Sequence, residues 1–125
     1  MEIKPGEVVL CRFYFSDSKQ SKNRPVLVFK DNLPFDDFVA IPISSQIVNR
    51  YNDEFLIEKK DFSDGGIPKI SKIMLRKTFV VSKQAVIKQY GTLTETSFKK
   101  YQTLFCLYFD CGVDNLIETV FSFKR

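Results

Sequence analysis

The 125 residues are enough for one compact domain, and 44% apolar with 27% charged residues is typical of a folded chain with a real core. Nineteen Lys and Arg against fifteen Asp and Glu leave a net charge of +4, which favours anionic partners. The chain has no histidine, which excludes Ser-His-Asp and Cys-His nucleophile systems, imidazole acid–base chemistry and histidine metal ligands.

The first half of the chain predicts three strands. Val8–Tyr14 is rich in β-branched and aromatic residues and follows the turn pair Pro5-Gly6, so it predicts a first strand. Ser16–Asn23 is entirely polar and predicts a solvated loop. The apolar runs Pro25–Phe29 and Phe38–Ile43 are separated by Asp and Asn turn residues and predict a hairpin.

The next segment continues with short strands. Glu54–Ile57, Ile73–Val81 and Val86–Tyr90 are β-prone, whereas Asp61–Pro68 contains two consecutive glycines and predicts a loop. Many short strands at close spacing are typical of a small barrel or sandwich.

Beyond Gly91 the apolar spacing changes to three and four, which predicts one amphipathic helix over about 95–110, packed against the barrel. Thr94 or Thr96 is its candidate N-cap, and Gly112 is the candidate end. Residues 113–125 are a short element of unassigned type. The stripe consists of Phe98, Tyr101, Phe105, Tyr108 and Phe109.

The three cysteines, Cys11, Cys106 and Cys111, are odd in number and lack C-x-x-C spacing, so neither a zinc site nor a disulfide scaffold is predicted. Each lies beside hydrophobic residues, which favours reduced core cysteines in a cytosolic protein. The amino terminus lacks an apolar signal core, and no run approaches the roughly 18 apolar residues of a membrane helix. We therefore expect a cytoplasmic protein without metal, cofactor or membrane contact.

The polar loop where it enters the second strand is the most informative segment. Pro25 restricts Arg24 to an extended backbone, so the guanidinium projects where a loop meets a strand. Lys19, Lys22 and the neutral donor Asn23 complete a set of side chains that positions a phosphate backbone. An ordinary solvated basic loop is the open alternative.

A second candidate segment is the end of the apolar run Ile41–Ile43, where Ser44, Ser45 and Gln46 follow directly. Side chains at a strand end can reach a site while the strand fixes their position. The alternative is that these residues simply end the strand with local backbone hydrogen bonds.

Four ordered blocks of this sequence carry a family resemblance. They are Lys4–Val9, Phe13–Asp17, Ser21–Val28 and Ile41–Gln46, with a weaker continuation through Ser71–Val81 and Gly91–Leu93. Together they resemble the MazF/PemK-like toxins of type II toxin-antitoxin systems.

The resemblance implies an all-β fold with an added helix, namely a small SH3-like barrel of short antiparallel strands followed by a C-terminal helix, and usually a homodimer. It also implies a metal-independent endoribonuclease that cuts single-stranded mRNA through attack of the 2′-hydroxyl, leaving a 2′,3′-cyclic phosphate. The implied partner is a cognate antitoxin with an acidic disordered tail.

The resemblance assigns roles to residues of this chain. Arg24 matches the family's arginine before proline, which stabilises the charge on the phosphoryl oxygens, and Ser44 matches the family's Thr or Ser, which contacts the phosphate or orients the attacking oxygen. The expected RNA contacts are Asp17, Lys19, Lys22, Asn23, Ser45, Gln46 and Arg76.

The chain also departs from the family pattern. Some members use a histidine near the first loop, and others place an arginine and an acid where this chain has Met74 and Arg76. An arginine does not accept a proton near neutral pH. The acceptor of the 2′-hydroxyl proton is therefore unassigned among water, Asp17, Tyr14 and a residue of a second subunit. A barrel that binds RNA or an antitoxin without cleavage is the alternative function.

Overall fold

The computed structural model describes residues 2–14 and 20–111, and this part of the chain forms eight strands and one α-helix. Short 3-10 turns join several of the strands, at Pro34–Asp36, Lys59–Asp61, Leu75–Lys77 and Lys83–Ala85. In chain order the elements are β1 Glu7–Tyr14, β2 Ser21–Leu33, β3 Asp37–Ser44, β4 Glu54–Ile57, β5 Phe62–Gly65, β6 Ser71–Met74, β7 Phe79–Ser82, β8 Val86–Leu93 and α1 Glu95–Phe109.

All strand pairs are antiparallel, and the sheet follows the order β4-β6-β3-β2-β1-β8-β5, with β7 also paired to β3. The sheet curls into a half-barrel, and the single helix follows the last strand. The predicted fold class, an SH3-like barrel with an added C-terminal helix, is confirmed. The predicted hairpin is also confirmed, because β2 and β3 are antiparallel neighbours.

The central strands β1, β2 and β3 are buried on both faces. Val8 belongs to the apolar cluster under the helix, while Val9 belongs to a second cluster on the opposite face. Leu27 likewise belongs to the cluster under the helix, while its neighbours Val26 and Val28 belong to the second cluster. Successive residues of a strand point to opposite faces, so a sheet buried on both sides needs a continuous apolar run.

The helix begins where the sequence predicts. The Thr94 hydroxyl oxygen accepts a hydrogen bond from the Ser97 backbone N–H at 3.0 Å, which makes Thr94 the N-cap. The helix ends at Phe109, where Asp110 adopts a left-handed backbone with φ of 55°. Gly112 and the predicted element at 113–125 lie outside the described residues. No helix in the described ranges is long and apolar enough to cross a membrane.

The apolar stripe of the helix is only partly buried. Tyr101 is fully buried, and its hydroxyl donates a hydrogen bond to the Leu56 carbonyl oxygen at 2.6 Å. Phe105 packs against the core cluster under the helix, whereas Tyr108 and Phe109 are exposed. The stripe therefore covers the barrel through the first three turns of the helix.

Two loop predictions are wrong in part. Ser21–Asn23 belongs to β2, because Lys22 pairs with Phe13 across the β1–β2 ladder. Phe62–Gly65 forms β5, because this segment pairs with β8. In both places a polar sequence takes part in a sheet because the neighbouring strand supplies backbone partners.

The β-prone run Ile73–Val81 is not one strand. The turn Leu75–Lys77 divides it into β6 and β7. Buried Asp53 holds this turn, since its carbonyl oxygen accepts the Leu75 N–H at 3.0 Å and its carboxylate accepts the Arg76 N–H at 2.9 Å.

The cysteine prediction holds for Cys11, which is buried, and is wrong for Cys111, which is exposed. Cys106 is partly buried. Burial raises the pKa of Cys11 to about 11. Burial and a hydrogen bond with the Cys111 thiol raise the pKa of Cys106 to about 11.

Strands β5 and β8 cross at two glycines that face each other, Gly65 and Gly91. A Cβ atom on Gly65 would lie 2.2 Å from the Tyr90 carbonyl oxygen, and one on Gly91 would lie 2.3 Å from the Asp64 carbonyl oxygen. The Gly66 N–H donates to that same Tyr90 oxygen at 3.0 Å. This close backbone approach requires glycine, and it fixes the path of residues 66–69 beside Tyr90.

Candidate functional site

A cleft of about 490 Å³ opens at one end of the sheet. We group the lining residues by element: the first wall comprises the first residues of β2, the end of β3 and the two residues after it. The second wall comprises the segment between β5 and β6, the first residue of β6 and one residue of β8. The lining residues are Lys22, Asn23, Arg24, Pro25, Ile43, Ser44, Ser45 and Gln46 on the first wall, and Ile67, Pro68, Lys69, Ser71 and Tyr90 on the second.

The first wall brings together six of the residues predicted from the sequence, Lys22, Asn23, Arg24, Ser44, Ser45 and Gln46. The hairpin register explains this, because Val26 pairs with Pro42 in the antiparallel β2–β3 ladder. Continued by two residues, that register places Arg24 level with Ser44. Residues 20 positions apart in the sequence therefore meet at one end of the hairpin.

The guanidinium of Arg24 is available to a ligand. Its side chain is half-buried, and it forms no hydrogen bond or ion pair with any residue in the described ranges 2–14 and 20–111. Its backbone is held on the other side by pairing with Cys11 of β1. A fixed backbone with unused guanidinium donors is the arrangement that binds a phosphate or carboxylate.

The Ser44 hydroxyl is partly engaged. Its oxygen accepts the Gln46 backbone N–H at 3.1 Å, which is the local strand-ending bond that the sequence leaves open as an alternative. A serine hydroxyl that accepts one bond still carries its own proton to donate. Ser44 is therefore both the end of β3 and a possible donor into the cleft.

A buried ion pair lies beside Ser44 in the sheet. The ladder between β3 and β6 pairs Ser44 with Lys72, whose Nζ lies 2.6 Å from Oε1 of Glu54 and also donates to the Asn49 carbonyl oxygen at 2.9 Å. Burial alone would raise the pKa of Glu54, but hydrogen bonds from Lys72 and from the Tyr51 backbone, with nearby positive charge, lower it overall. The bond from Lys72 to the Asn49 carbonyl oxygen ties the segment after β3 to the sheet.

The second wall was not predicted. Lys69 directly follows the predicted loop Asp61–Pro68, and Tyr90 is the last residue of the predicted strand Val86–Tyr90, so neither residue was singled out as part of a site. The glycines at 65, 66 and 91 indicate that two backbone segments approach closely, but the sequence does not show which segments meet. Ser71 on this wall donates its hydroxyl to the Lys69 carbonyl oxygen at 3.0 Å.

Arg76 is not among the residues that line the cleft. Its Nη1 lies 3.1 Å from Oδ1 of the fully buried Asp53, and its guanidinium lies 5.6 Å from the centre of the Tyr51 ring. Two further predicted contacts, Asp17 and Lys19, lie outside the described residues.

The cleft is cationic. Lys22, Arg24 and Lys69 line it, and none of the lining residues in the described ranges is Asp or Glu. The described residues also contain no group of three or more acidic or cysteine side chains placed to hold a metal ion. Fold and cleft together define a small antiparallel barrel with a positively charged, hydroxyl-bearing surface suited to a polyanion.

The chain belongs to the family of PemK-like and MazF-like toxins of type II toxin-antitoxin systems, whose model matches residues 4–109. Family members are generally endoribonucleases. No curated protein sequence matches the chain closely enough to count as a relative.

Solved structures share the fold at low sequence identity. A mycobacterial endoribonuclease in complex with its cognate antitoxin has a TM-score of 0.65 and 15% identity, covering 87% of this chain and 96% of that one. The MazE-MazF structure from Deinococcus radiodurans has a TM-score of 0.67 and 12% identity, covering 86% and 96%. The Mycobacterium tuberculosis toxin MazF-mt6 has a TM-score of 0.60 and 16% identity, covering 82% and 96%.

Proposed function

We propose that this chain is the toxin of a type II toxin-antitoxin pair and cuts single-stranded RNA in the cleft described above. The observation that carries the proposal is the position of Arg24, whose unpaired guanidinium shares a carboxylate-free cleft with Ser44. The family match over residues 4–109 supports the reaction class.

The proposed reaction needs no metal. The ribose 2′-hydroxyl attacks the adjacent phosphorus, and the products are a 2′,3′-cyclic phosphate and a 5′-hydroxyl. Arg24 donates to the phosphoryl oxygens as negative charge builds on them, which is where a fixed donor contributes most. Ser44 donates to the phosphate or orients the attacking oxygen, while Lys22, Asn23, Ser45 and Gln46 hold the RNA backbone on either side.

The proposed partners follow from the same cleft. A cationic groove accepts an acidic disordered tail of a cognate antitoxin as readily as RNA, because both are polyanions. The mycobacterial and Deinococcus structures are toxins with their antitoxins, which supports this assignment. The toxin would act as a homodimer in the cytoplasm.

A second candidate function is a barrel that binds RNA or an antitoxin without cutting. The chain has no histidine, and Arg76 occupies the position where some family members have an acid. In this chain Arg76 is paired with buried Asp53, so it serves the fold rather than proton transfer. Binding measurements do not separate the two functions, whereas products do.

The test is incubation of the purified protein with a mixed-sequence RNA, and with a 2′-deoxy copy of it, in the presence of a chelator. We expect cleavage of the ribose form alone, with cyclic phosphate ends. Arg24→Ala should lower the cleavage rate by about 10²–10³-fold. Arg50→Ala, an exposed arginine that does not line the cleft, is the matched control. Intact RNA that binds tightly to the parent protein would favour the second function.

A further inference from the structure

The proposed cleavage leaves one proton unaccounted for, because the departing 5′-oxygen must be protonated. The chain has no histidine, and no described residue lining the cleft is a carboxylic acid. We propose that the Tyr90 hydroxyl is the general acid that protonates this oxygen. The inference rests on the proposed function and adds a catalytic residue to it.

The placement of Tyr90 is the first support. It lies on β8 and lines the same cleft as Arg24 and Ser44. A phosphate bound in this cleft therefore meets the charge-stabilising groups and this phenol within one site. General acid catalysis requires the donor on the side of the leaving group, away from the groups that hold the phosphoryl oxygens.

Tyr90 is also held rigidly. Its ring is half-buried and packs against the core cluster under the helix, and Nζ of Lys88 lies 5.1 Å from the ring centre. Its backbone carbonyl oxygen accepts the Gly66 N–H at 3.0 Å in the close crossing of β5 and β8. A catalytic group on a packed strand keeps the geometry that proton transfer needs.

The hydroxyl itself is free. It has no hydrogen-bond partner in the described part of the chain, and its oxygen is not among the buried unpaired atoms there, so it reaches solvent. Tyr101 differs, because its hydroxyl already donates to the Leu56 carbonyl. Of the tyrosines whose side chains the structure describes, Tyr90 alone lines the cleft.

Other groups in the cleft are weaker candidates. The ammonium groups of Lys22 and Lys69 are on exposed, flexible side chains that hold the RNA backbone better than they hold one proton in line. Serine hydroxyls are far weaker acids than a phenol, and the Ser71 hydroxyl is already engaged with the Lys69 carbonyl. A phenol carries its proton at neutral pH and is ready to donate it.

The 2′-oxygen forms a bond to phosphorus while the bond from phosphorus to the 5′-oxygen breaks, and the electron pair of that bond stays on the 5′-oxygen. The phenolic proton of Tyr90 passes to this oxygen, and solvent water takes the 2′-hydroxyl proton. The tyrosinate then recovers a proton from water, so the enzyme returns to its starting state without net proton uptake.

The experiment uses a short RNA containing the mapped cut site and a copy with sulfur in place of the 5′-bridging oxygen at that bond. A thiolate leaves without protonation, so it makes a general acid unnecessary. We expect Tyr90→Phe to cut the oxygen substrate about 10²–10⁴-fold more slowly than the parent. The same variant should cut the sulfur substrate within tenfold of the parent, and RNA affinity should stay within about twofold because the ring is retained.

Tyr108→Phe, an exposed tyrosine on the helix, is the matched control and should behave as the parent on both substrates. Equal cutting of the oxygen substrate by Tyr90→Phe and the parent would overturn the role of Tyr90, while the proposed function stands if Arg24→Ala is still impaired. An equal loss on both substrates, or a loss explained by weaker binding, would also overturn it. A parent protein that cuts neither RNA overturns both proposals.

Discussion

Replacement of Glu54 by Gln tests how strongly the buried ion pair between Lys72 and Glu54 stabilises the fold. The side chains of Lys72 and Glu54 are only 8% and 3% exposed, and their charged atoms are 2.6 Å apart. Gln keeps the size of the side chain and an oxygen that accepts a hydrogen bond, but it removes the negative charge. The ammonium of Lys72 then remains buried without a counter-charge.

Breaking a buried pair by removing one partner costs about 3–5 kcal/mol of unfolding free energy. For a chain of this length, 1 kcal/mol corresponds to a shift of about 3–5 °C in the unfolding midpoint. Glu54→Gln should therefore lower the midpoint by about 9–25 °C at pH 7. The matched control is Lys60→Gln, because Lys60 is 78% exposed and its ion pair with Glu58 is 3.6 Å long. That change should cost less than about 1 kcal/mol.

The pH dependence has a definite sign. The pKa of Glu54 is lowered from its ordinary value of 4.5, so its stabilising effect is fully present above pH 4.5. That effect is lost as the pH falls through the lower pKa of the folded state. The difference in stability between the parent and Glu54→Gln should thus be constant from neutral pH to about pH 5 and should shrink in more acidic solution.

The assay is thermal and urea unfolding of the parent and both variants across this pH range. Combining Glu54→Gln with Lys72→Met should recover much of the lost stability, because the second change removes the unpaired charge. A Glu54→Gln variant within about 1 kcal/mol of the parent at pH 7 would refute the reasoning, since it would mean that the buried ammonium needs no carboxylate.

The backbone crossing at Gly91, the buried hydroxyl of Tyr101 and the exposed thiol of Cys111 can each be tested separately. Gly91→Ala should lower the unfolding free energy by about 1–3 kcal/mol and slow RNA cleavage, because its Cβ would lie 2.3 Å from a backbone oxygen. Gly66→Ala is the matched control: the nearest atom there is a flexible lysine carbon at 3.3 Å, so the change should have a mild effect in the same assays. Tyr101→Phe should lower the unfolding free energy by about 1–3 kcal/mol in urea, because a carbonyl loses its buried donor; an unchanged midpoint would contradict this. Iodoacetamide at pH 8 should label exposed Cys111 well before Cys11, whose pKa is raised to about 11 by burial, and equal labelling rates by mass spectrometry would refute that order.

The sequence carries the parts of the fold that depend on local pattern. The helix is predicted to within a residue because its apolar spacing and the Thr94 cap act within one element. The strand Glu54–Ile57 is predicted with its observed bounds. Phe62–Gly65 is missed because its polar residues and glycine resemble a loop, and only the backbone of β8 makes it a strand.

The candidate site divides in the same way. Arg24 and Ser44 are found from the sequence because each lies at the end of a predicted strand and the hairpin register then brings them level. Tyr90 and Lys69 are not found, because the curl of the sheet brings segments that are distant in the sequence to the same cleft. The pairing of Arg76 with Asp53 is equally invisible, since an ion pair between positions 23 residues apart leaves no local pattern.

The crossing at Gly65 and Gly91 has a consequence for how such a toxin would diversify. The course of the second wall is set by main-chain atoms of β5 and β8 that are already in contact, so no substitution at either glycine moves this wall without displacing a strand. New target preferences in this lineage would then have to arise by exchanging the side chains on the rim, while the backbone of this wall is inherited unchanged.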